Sequence, residues 1–312
     1  MFNMDRLRVL HAVARHGSIS AAAGVLHVTT SAVSQQLAKL EREVGQVLTE
    51  RSGRGIRLTD AGHLLAGHAG GLIAALDAAA ADLAAHRGTV AGRVTIAFFA
   101  SAVRGLGPDT LSLLRERHPL LTVRLAEQEP PESVPLTLRG EIDVAVVLDL
   151  PDAPFAVPEG LLREPLLDDV IDVALPATHP LAGAGTITLD QLPGEEWINW
   201  PDGGYCHAWL SRTLRRNGVE PRITHTANEY SSQLALVAAG FGVSVLPRLG
   251  RERIPAGVRL VALDPTPVRQ LYAVWRADTA HRPAIGATVR ALRDAAQRHC
   301  DAMATERPVA AA

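Results

Sequence analysis

Lysine is almost absent from this chain. Of 312 residues only Lys39 is a lysine, so arginine carries nearly all the positive charge. We read that as a compositional habit without functional weight. Cysteine is scarce too: Cys206 and Cys300 stand far apart in sequence, which excludes a disulfide framework and fits a cytoplasmic protein. No apolar run approaches the roughly 20 residues of a membrane-spanning helix, and the opening Met1-Phe2-Asn3-Met4 does not read as a signal peptide. Catalytic signatures are missing as well. Gly242-Val243-Ser244 is followed by Val245 and Leu246, so a nucleophile elbow fails at its last glycine. Gly105 and Gly107 begin a dinucleotide-type loop, but Thr110 holds its third glycine position. His63 and His68 are five apart and diverge on a helix, poor geometry for a metal. These absences point away from an enzyme, a metal site and a cofactor.

The length suits two or three folding units, and 47% hydrophobic residues with a mean hydropathy of +0.10 supply buried cores. The net charge of −2 looks unfavourable for a nucleic-acid partner until it is localised. Over residues 1–60, Arg6, Arg8, Arg15, Lys39, Arg42, Arg51, Arg54 and Arg57 outnumber Asp5, Glu41, Glu43, Glu50 and Asp60. A locally basic head is all that phosphate binding requires.

Within that head, the stretch 18–59 reads as two short helices, a tight turn, a third helix and a basic wing. Asn3 can cap a first helix with Leu7, Leu10 and Ala14 at helical spacing, and Gly17 stops it. Ser18 can cap a second helix whose Ile19, Ala22, Ala23 and Leu26 turn inward. In the third, Val33, Leu37, Leu40 and Val44 share one stripe. The opposite face, with Thr29 and Thr30 at its start, offers Ser31, Ser34, Gln35 and Lys39. Gln35 is the best candidate to read an adenine edge through two hydrogen bonds. Ser31, Ser34 and Lys39 suit phosphate contacts, aided by the helix N-terminus. Arg51, Arg54 and Arg57 surround Gly53 and Gly55 without an acidic residue between, a composition suited to a wing against phosphates or a minor groove.

The ordered string Gly17-Ser18, Ala22-Ala23, Leu26, Ser31-Ala32-Val33-Ser34, Leu40-Glu41, Gly45, Leu48, Arg51 and Leu58-Thr59-Asp60-Ala61-Gly62 resembles the winged helix-turn-helix of LysR-type transcriptional regulators. Thr30 departs from the family's usual glutamine, and Thr49 from its usual phenylalanine.

From Thr59 to about Arg87 the pattern changes. Leu65, Leu72 and Ala79 recur every seven residues, as do Ala69, Leu76 and Leu83. This predicts a helix with an intermolecular seam carried by Leu65, Leu72, Leu76 and Leu83, weakened near its start by Gly62, Gly67, Gly70 and Gly71. The resemblance implies a dimerising linker helix here, presenting two recognition helices to double-stranded DNA with an interrupted palindrome. It also makes a homotetramer a candidate beside the homodimer.

Beyond Gly92, strand-like runs at 94–99, 121–126, 142–147, 170–175, 197–199, 223–226, 243–246 and 271–275 alternate with helices near 108–117, 207–217 and 231–239. Alternation of this kind argues for parallel sheets covered by helices, in two lobes with a cleft between them. His179-Pro180-Leu181 and the run 238–247 resemble the periplasmic-binding-like effector domain of the same family. The expected organisation is therefore an α/β chain: a winged helix-turn-helix over 1–59, a linker helix over 60–90, and an effector-binding domain over 91–303. Lobe 1 covers about 91–162 and 267–303, lobe 2 about 163–266, and 304–312 forms a flexible tail.

Ligands of open α/β sheets bind beyond the carboxyl ends of strands, where loops enter helices. The loop expected at 100–104 places Ser101 to donate to an effector oxygen, with Ala102 and Arg104 beside it. The loop at 200–207 offers Tyr205 and Cys206, and that at 228–230 offers Glu229 and Tyr230. For each, the plain alternative is a loop residue without ligand. Cys206 raises a rival mechanism, because a helix start could lower its thiol pKa and make a redox switch; no resolving cysteine lies near it in sequence. Two other readings stay open: a nucleoid-type DNA binder without sequence preference, and a solute-binding α/β protein with an incidental helical head.

Overall fold

A computed structural model describes residues 2–52, 55–85 and 90–305; Arg54, residues 306–312 and the side chain of Leu83 lie outside the described residues. The head begins with α1 (Met4–His16), whose first amides at Asp5 and Arg6 donate to the Asn3 side chain, and which ends at Gly17. In α2 (Ile19–Leu26) the Ser18 hydroxyl accepts from the Ala21 amide, and in α3 (Thr30–Val44) the Thr29 hydroxyl accepts from Ala32. Each cap satisfies a helix-end amide that has no partner within the helix, an effect of about 1 kcal/mol. Leu7, Leu10, Val13, Ala22, Ala23, Val33, Leu37 and Leu40 form one buried cluster, so the apolar stripe of α3 faces inward as its spacing predicts. Val44 is only half-buried at its edge.

The wing is a hairpin of β1 (Thr49–Ser52) and β2 (Gly55–Leu58), paired antiparallel with Thr49 opposite Leu58. Glu41 staples it to α3: its Oε1 accepts from the amides of Leu48 and Thr49 at 2.9 Å each, and from the Thr49 hydroxyl at 3.0 Å. A threonine at this position thus replaces an aromatic anchor with a polar one.

The long helix α4 (Asp60–Ala85) corrects the expected seam. Ala66 and Ala69 are buried and Leu65 is half-buried against the head's own core, so Leu65 is an intramolecular contact. Leu72 and Leu76, at 46% and 47% exposure, point away from the chain. The glycines of α4 are also not mere weak points. A Cβ at Gly70 would lie 3.3 Å from the Glu141 side chain, and one at Gly71 would lie 3.4 Å from the Arg139 carbonyl. They let the helix backbone approach the effector domain closely.

That domain comprises β3 (Gly92–Phe98), α5 (Ala100–Arg117), β4 (Leu121–Glu127), α6 (Pro130–Leu138), β5 (Val144–Asp149), β6 (Leu161–Pro176), β7 (Thr186–Ile187), β8 (Glu196–Asn199), α7 (Tyr205–Arg216), β9 (Arg222–Thr226), α8 (Tyr230–Ala238), β10 (Ser244–Pro247), β11 (Val258–Leu263), β12 (Val268–Arg276) and α9 (Pro283–Thr305). The expected parallel sheets hold in part: β8 and β9 form a separate parallel pair, whereas the main sheet is mixed. Eight strands run in the order β4-β3-β5-β12-β6-β11-β7, with β10 added alongside β6. Strands β3, β4 and β5 are parallel, but β12 runs antiparallel to both β5 and β6. The strand β6 belongs to both lobes: residues 161–170 pair with β12, and 171–176 pair with β10 and β11. Chain continuity across the cleft therefore takes the form of paired strands, which resist bending more than a loop does.

Candidate DNA interface and effector cleft

On α3, Thr30, Ser31, Ser34, Gln35 and Lys39 are all exposed on the face opposite the buried stripe. The Ser34 hydroxyl donates back to the Thr30 carbonyl at 3.0 Å, and the Ser18 and Thr29 oxygens are occupied as caps. Each capping hydroxyl keeps its own proton for a phosphate oxygen. The oxygen and the nitrogen of the Gln35 side-chain amide are both free of protein partners among the described residues. In the wing, Arg51 is exposed, whereas Arg57 forms a 2.8 Å ion pair with Glu50 directly across the hairpin. A helix start, a polar face and a basic hairpin are the parts needed to set a helix in a major groove with a wing at its flank.

In the effector domain, the segment 100–104 is not a loop but the first turn of α5, which begins directly after β3. Ser101 and Ala102 are fully buried there. The partner of Ser101 is Arg269 on β12, whose Nη2 donates to the Ser101 hydroxyl at 2.7 Å and whose Nε donates to Asp169 Oδ2 at 2.7 Å. The other Asp169 oxygen accepts from the Leu249 amide at 2.8 Å. The Arg269 guanidinium lies 5.4 Å from the centre of the Phe99 ring. Arg269 and Asp169 are register partners at the point where β6 leaves β12 for β10, so this unit sits at the joint between lobes. The backbone crowds it: a Cβ on Gly250, which has φ +66°, would stand 2.3 Å from the Ser101 carbonyl oxygen.

The remaining candidate residues divide into two groups. Cys206 and Tyr230 feel the charge of Arg269 and so gather around the same centre. Burial pushes the Cys206 thiol up to about 12, helped by the nearby Glu129 carboxylate and opposed by Arg269. The expected lowering by a helix start does not occur, because desolvation of a thiolate outweighs a helix dipole here. Burial likewise raises the Tyr230 phenol. The Tyr230 ring packs edge-on to Trp200 with centroids 5.3 Å apart, and Arg104 lies 6.0 Å over it. Arg104 is engaged elsewhere, donating to the Gly250 carbonyl at 3.1 Å and approaching Glu252 at 3.6 Å. Tyr205 links the lobes, its hydroxyl donating to the Ala153 carbonyl and accepting from the Leu150 amide at 3.4 Å. Glu229 is exposed at the start of α8 and accepts from Ser231 at 3.3 Å, apart from the Arg269 centre.

Sequence reasoning missed Arg269, Asp169 and Glu129. Glu129 is exposed as a residue, yet its carboxyl accepts from the Ala100 amide at the start of α5 and is desolvated enough there to be raised above the usual range. Beside it, the buried Gln128 Oε1 has no partner. No sharp sequence signal marked the missed pair: Asp169 is one of several charged residues on β6, beside Arg163, Glu164, Asp168 and Asp172, and Arg269 is followed by the polar Gln270 on β12. Among the described residues no group of His, Cys, Asp and Glu could hold a metal ion.

Residues 4–63 match the family of bacterial regulatory helix-turn-helix proteins of the LysR type, and residues 87–297 match the LysR substrate binding domain. The chain belongs to the LysR family of transcriptional regulators. It is 31% identical over 304 residues to the RuBisCO operon transcriptional regulator of Allochromatium vinosum, covering 96% of this chain and 98% of that one. It is 32% identical over 252 residues to a probable hydrogen peroxide-inducible genes activator of Mycobacterium leprae, covering 78% and 76%. Its fold is that of full-length CbnR solved in complex with its target DNA, with a TM-score of 0.68, 24% identity, and coverage of 94% and 100%. As a LysR-type regulator it joins a DNA-binding head to an effector-binding domain. Among the described residues no helix is long and apolar enough to cross a membrane.

Proposed function

We propose that this regulator is a cytoplasmic, non-catalytic homodimer or homotetramer that reads an interrupted palindrome through Gln35 and answers to a small molecule in the cleft between its lobes. The observation that carries this reading is the Ser101–Arg269–Asp169 unit. It is buried at the joint where β6 passes from one lobe to the other. An effector that touches this unit or the open Gln128 acceptor has different contacts in the closed and open arrangements. Differential affinity of that kind is what shifts a conformational population. The outward Leu72 and Leu76 of α4 supply the subunit contact that places two heads on one operator.

The test is fluorescence anisotropy with DNA from upstream of the chain's own reading frame, against scrambled DNA, for wild type and Gln35→Ala. Loss of one bidentate base contact costs about 1–3 kcal/mol of discrimination. The expected result is preference for the upstream DNA in wild type and its loss in the variant. Equal binding to both DNAs, unchanged by the substitution, refutes the reading in favour of a general DNA binder.

A second reading, a redox switch at Cys206, draws on the name of the mycobacterial relative and on the charge of Arg269 near the thiol. Against it, a thiol pushed up to about 12 is held almost wholly protonated, and so unreactive, at neutral pH. Cys206→Ser separates the two. A peroxide response of DNA binding that vanishes in the variant supports the switch, and unchanged behaviour supports an unreactive effector.

A further inference from the structure

The face between the DNA-binding head and the effector domain holds a groove of about 690 Å³. Arg8 and Arg15 of α1, with His11 and His16 of the same helix, line one side, and Arg93 of β3 and Arg124 of β4 line the other. No carboxylate lines this groove. Among the described residues none of the four arginines forms an ion pair. Elsewhere the chain neutralises its arginines: Arg248 and Arg251 share Asp172 at 2.9 and 2.7 Å, and Arg282 reaches Asp143 at 2.7 Å.

The crowding has an electrostatic signature. Arg15, though exposed, is held below its ordinary pKa by the partial desolvation of its guanidinium at the groove and then by the charges of Arg124 and Arg93. Glu141 pulls the other way, but its carboxylate is paired with Arg139 at 2.8 Å in the adjoining recess. Like charges gathered across a domain junction cost energy unless a counter-charge is supplied. Arginine forks match phosphate oxygens in pairs, and the groove falls within the roughly 300–1,000 Å³ of small-molecule sites.

We propose that this groove binds a small molecule carrying two or more phosphate groups, which bridges α1 and the β3–β4 edge and so fixes the head against the effector domain. It is a site separate from the cleft between the lobes, and it would give the regulator a second chemical input. The anion needs arginines from both sides, since either pair alone leaves half its charge unmatched.

The test uses sodium tripolyphosphate, titrated calorimetrically into the full chain at fixed ionic strength. The variants are Arg93→Ser/Arg124→Ser and Arg8→Ser/Arg15→Ser; all four side chains are exposed, and thermal unfolding verifies that each variant is folded. The expected result is saturable binding of one anion per chain, weakened at least tenfold by either double substitution. Absence of saturable binding to wild type, or equal binding by wild type and both variants, overturns the proposal. The salt dependence of binding to upstream DNA is measured in parallel. If Arg93→Ser/Arg124→Ser lowers its logarithmic slope by about 1.8 while tripolyphosphate fails to bind, these arginines serve DNA phosphates and the small-anion site is refuted.

Discussion

Replacing Arg269 by methionine removes the guanidinium at the joint of the lobes while retaining most of its aliphatic length. Asp169 is then left at 4% exposure with a single donor, the Leu249 amide, and the Ser101 hydroxyl loses its charged partner. Leaving one half of a buried pair uncompensated costs about 3–5 kcal/mol. For a domain of this size about 1 kcal/mol moves Tm by about 2–4 °C, so a fall of roughly 6–20 °C follows. Asp169→Leu carries a similar cost and in addition strips the Leu249 amide of its acceptor, worth about 1–3 kcal/mol. The double variant removes both charges at once and should cost less than the sum of the single variants by about 2 kcal/mol. Urea unfolding followed by tryptophan fluorescence measures this cycle in the full chain. All four tryptophans, Trp197, Trp200, Trp209 and Trp275, lie in the effector domain, so the head adds no signal. A loss below about 1 kcal/mol in Arg269→Met, or strict additivity in the double variant, refutes the claim that these groups act as one unit.

The Glu41 staple predicts that Thr49→Val costs about 0.5–1.5 kcal/mol and Glu41→Ala more, since the latter abandons two amides together. Equal helical melting curves for wild type and Glu41→Ala would contradict it. The raised carboxyl of Glu129 binds its proton more tightly in the folded chain than in the unfolded one. Its stabilising contribution is complete below about pH 4.5 and is lost as pH rises through the raised value. Glu129→Gln should therefore flatten the pH dependence of the effector-domain urea midpoint above pH 4.5, and an unaltered profile counts against the assignment. Leu72→Ser with Leu76→Ser should shift sedimentation towards the monomer without loss of helix content, and unchanged sedimentation removes α4 from the subunit contact.

The head was legible because its determinants are local. Asn3, Ser18 and Thr29 cap helices within three residues of themselves, and the stripe from Val33 to Leu40 repeats with the helix. The linker was half legible. Periodicity marks Leu65, Ala69, Leu72 and Leu76 as apolar positions, but it does not name the surface each will meet, and the first two meet the chain's own head. The glycines of α4 read as defects because the 139–141 segment they accommodate is some 70 residues away. In the effector domain most strands were visible, but β7, β11 and the first half of β6 were not, and strand directions were not legible, since antiparallel pairing of β6 with β12 joins residues 100 apart. Ser101 stood out as a polar residue after a strand. Its partner Arg269, 168 residues later, could not be inferred from either neighbourhood.

The exposed Lys39 on α3 has a practical consequence for every experiment above. An amine-directed dye has only this side chain and the chain's own α-amine to react with, so one probe can be seated on the recognition helix without engineering. A lysine-specific endoprotease likewise has one cleavage site in the entire chain, and it falls on the surface that DNA would cover. Protection of that single bond would report operator occupancy on an unlabelled, unmodified protein, and the fragment of 39 residues released on cleavage would separate cleanly from the remainder.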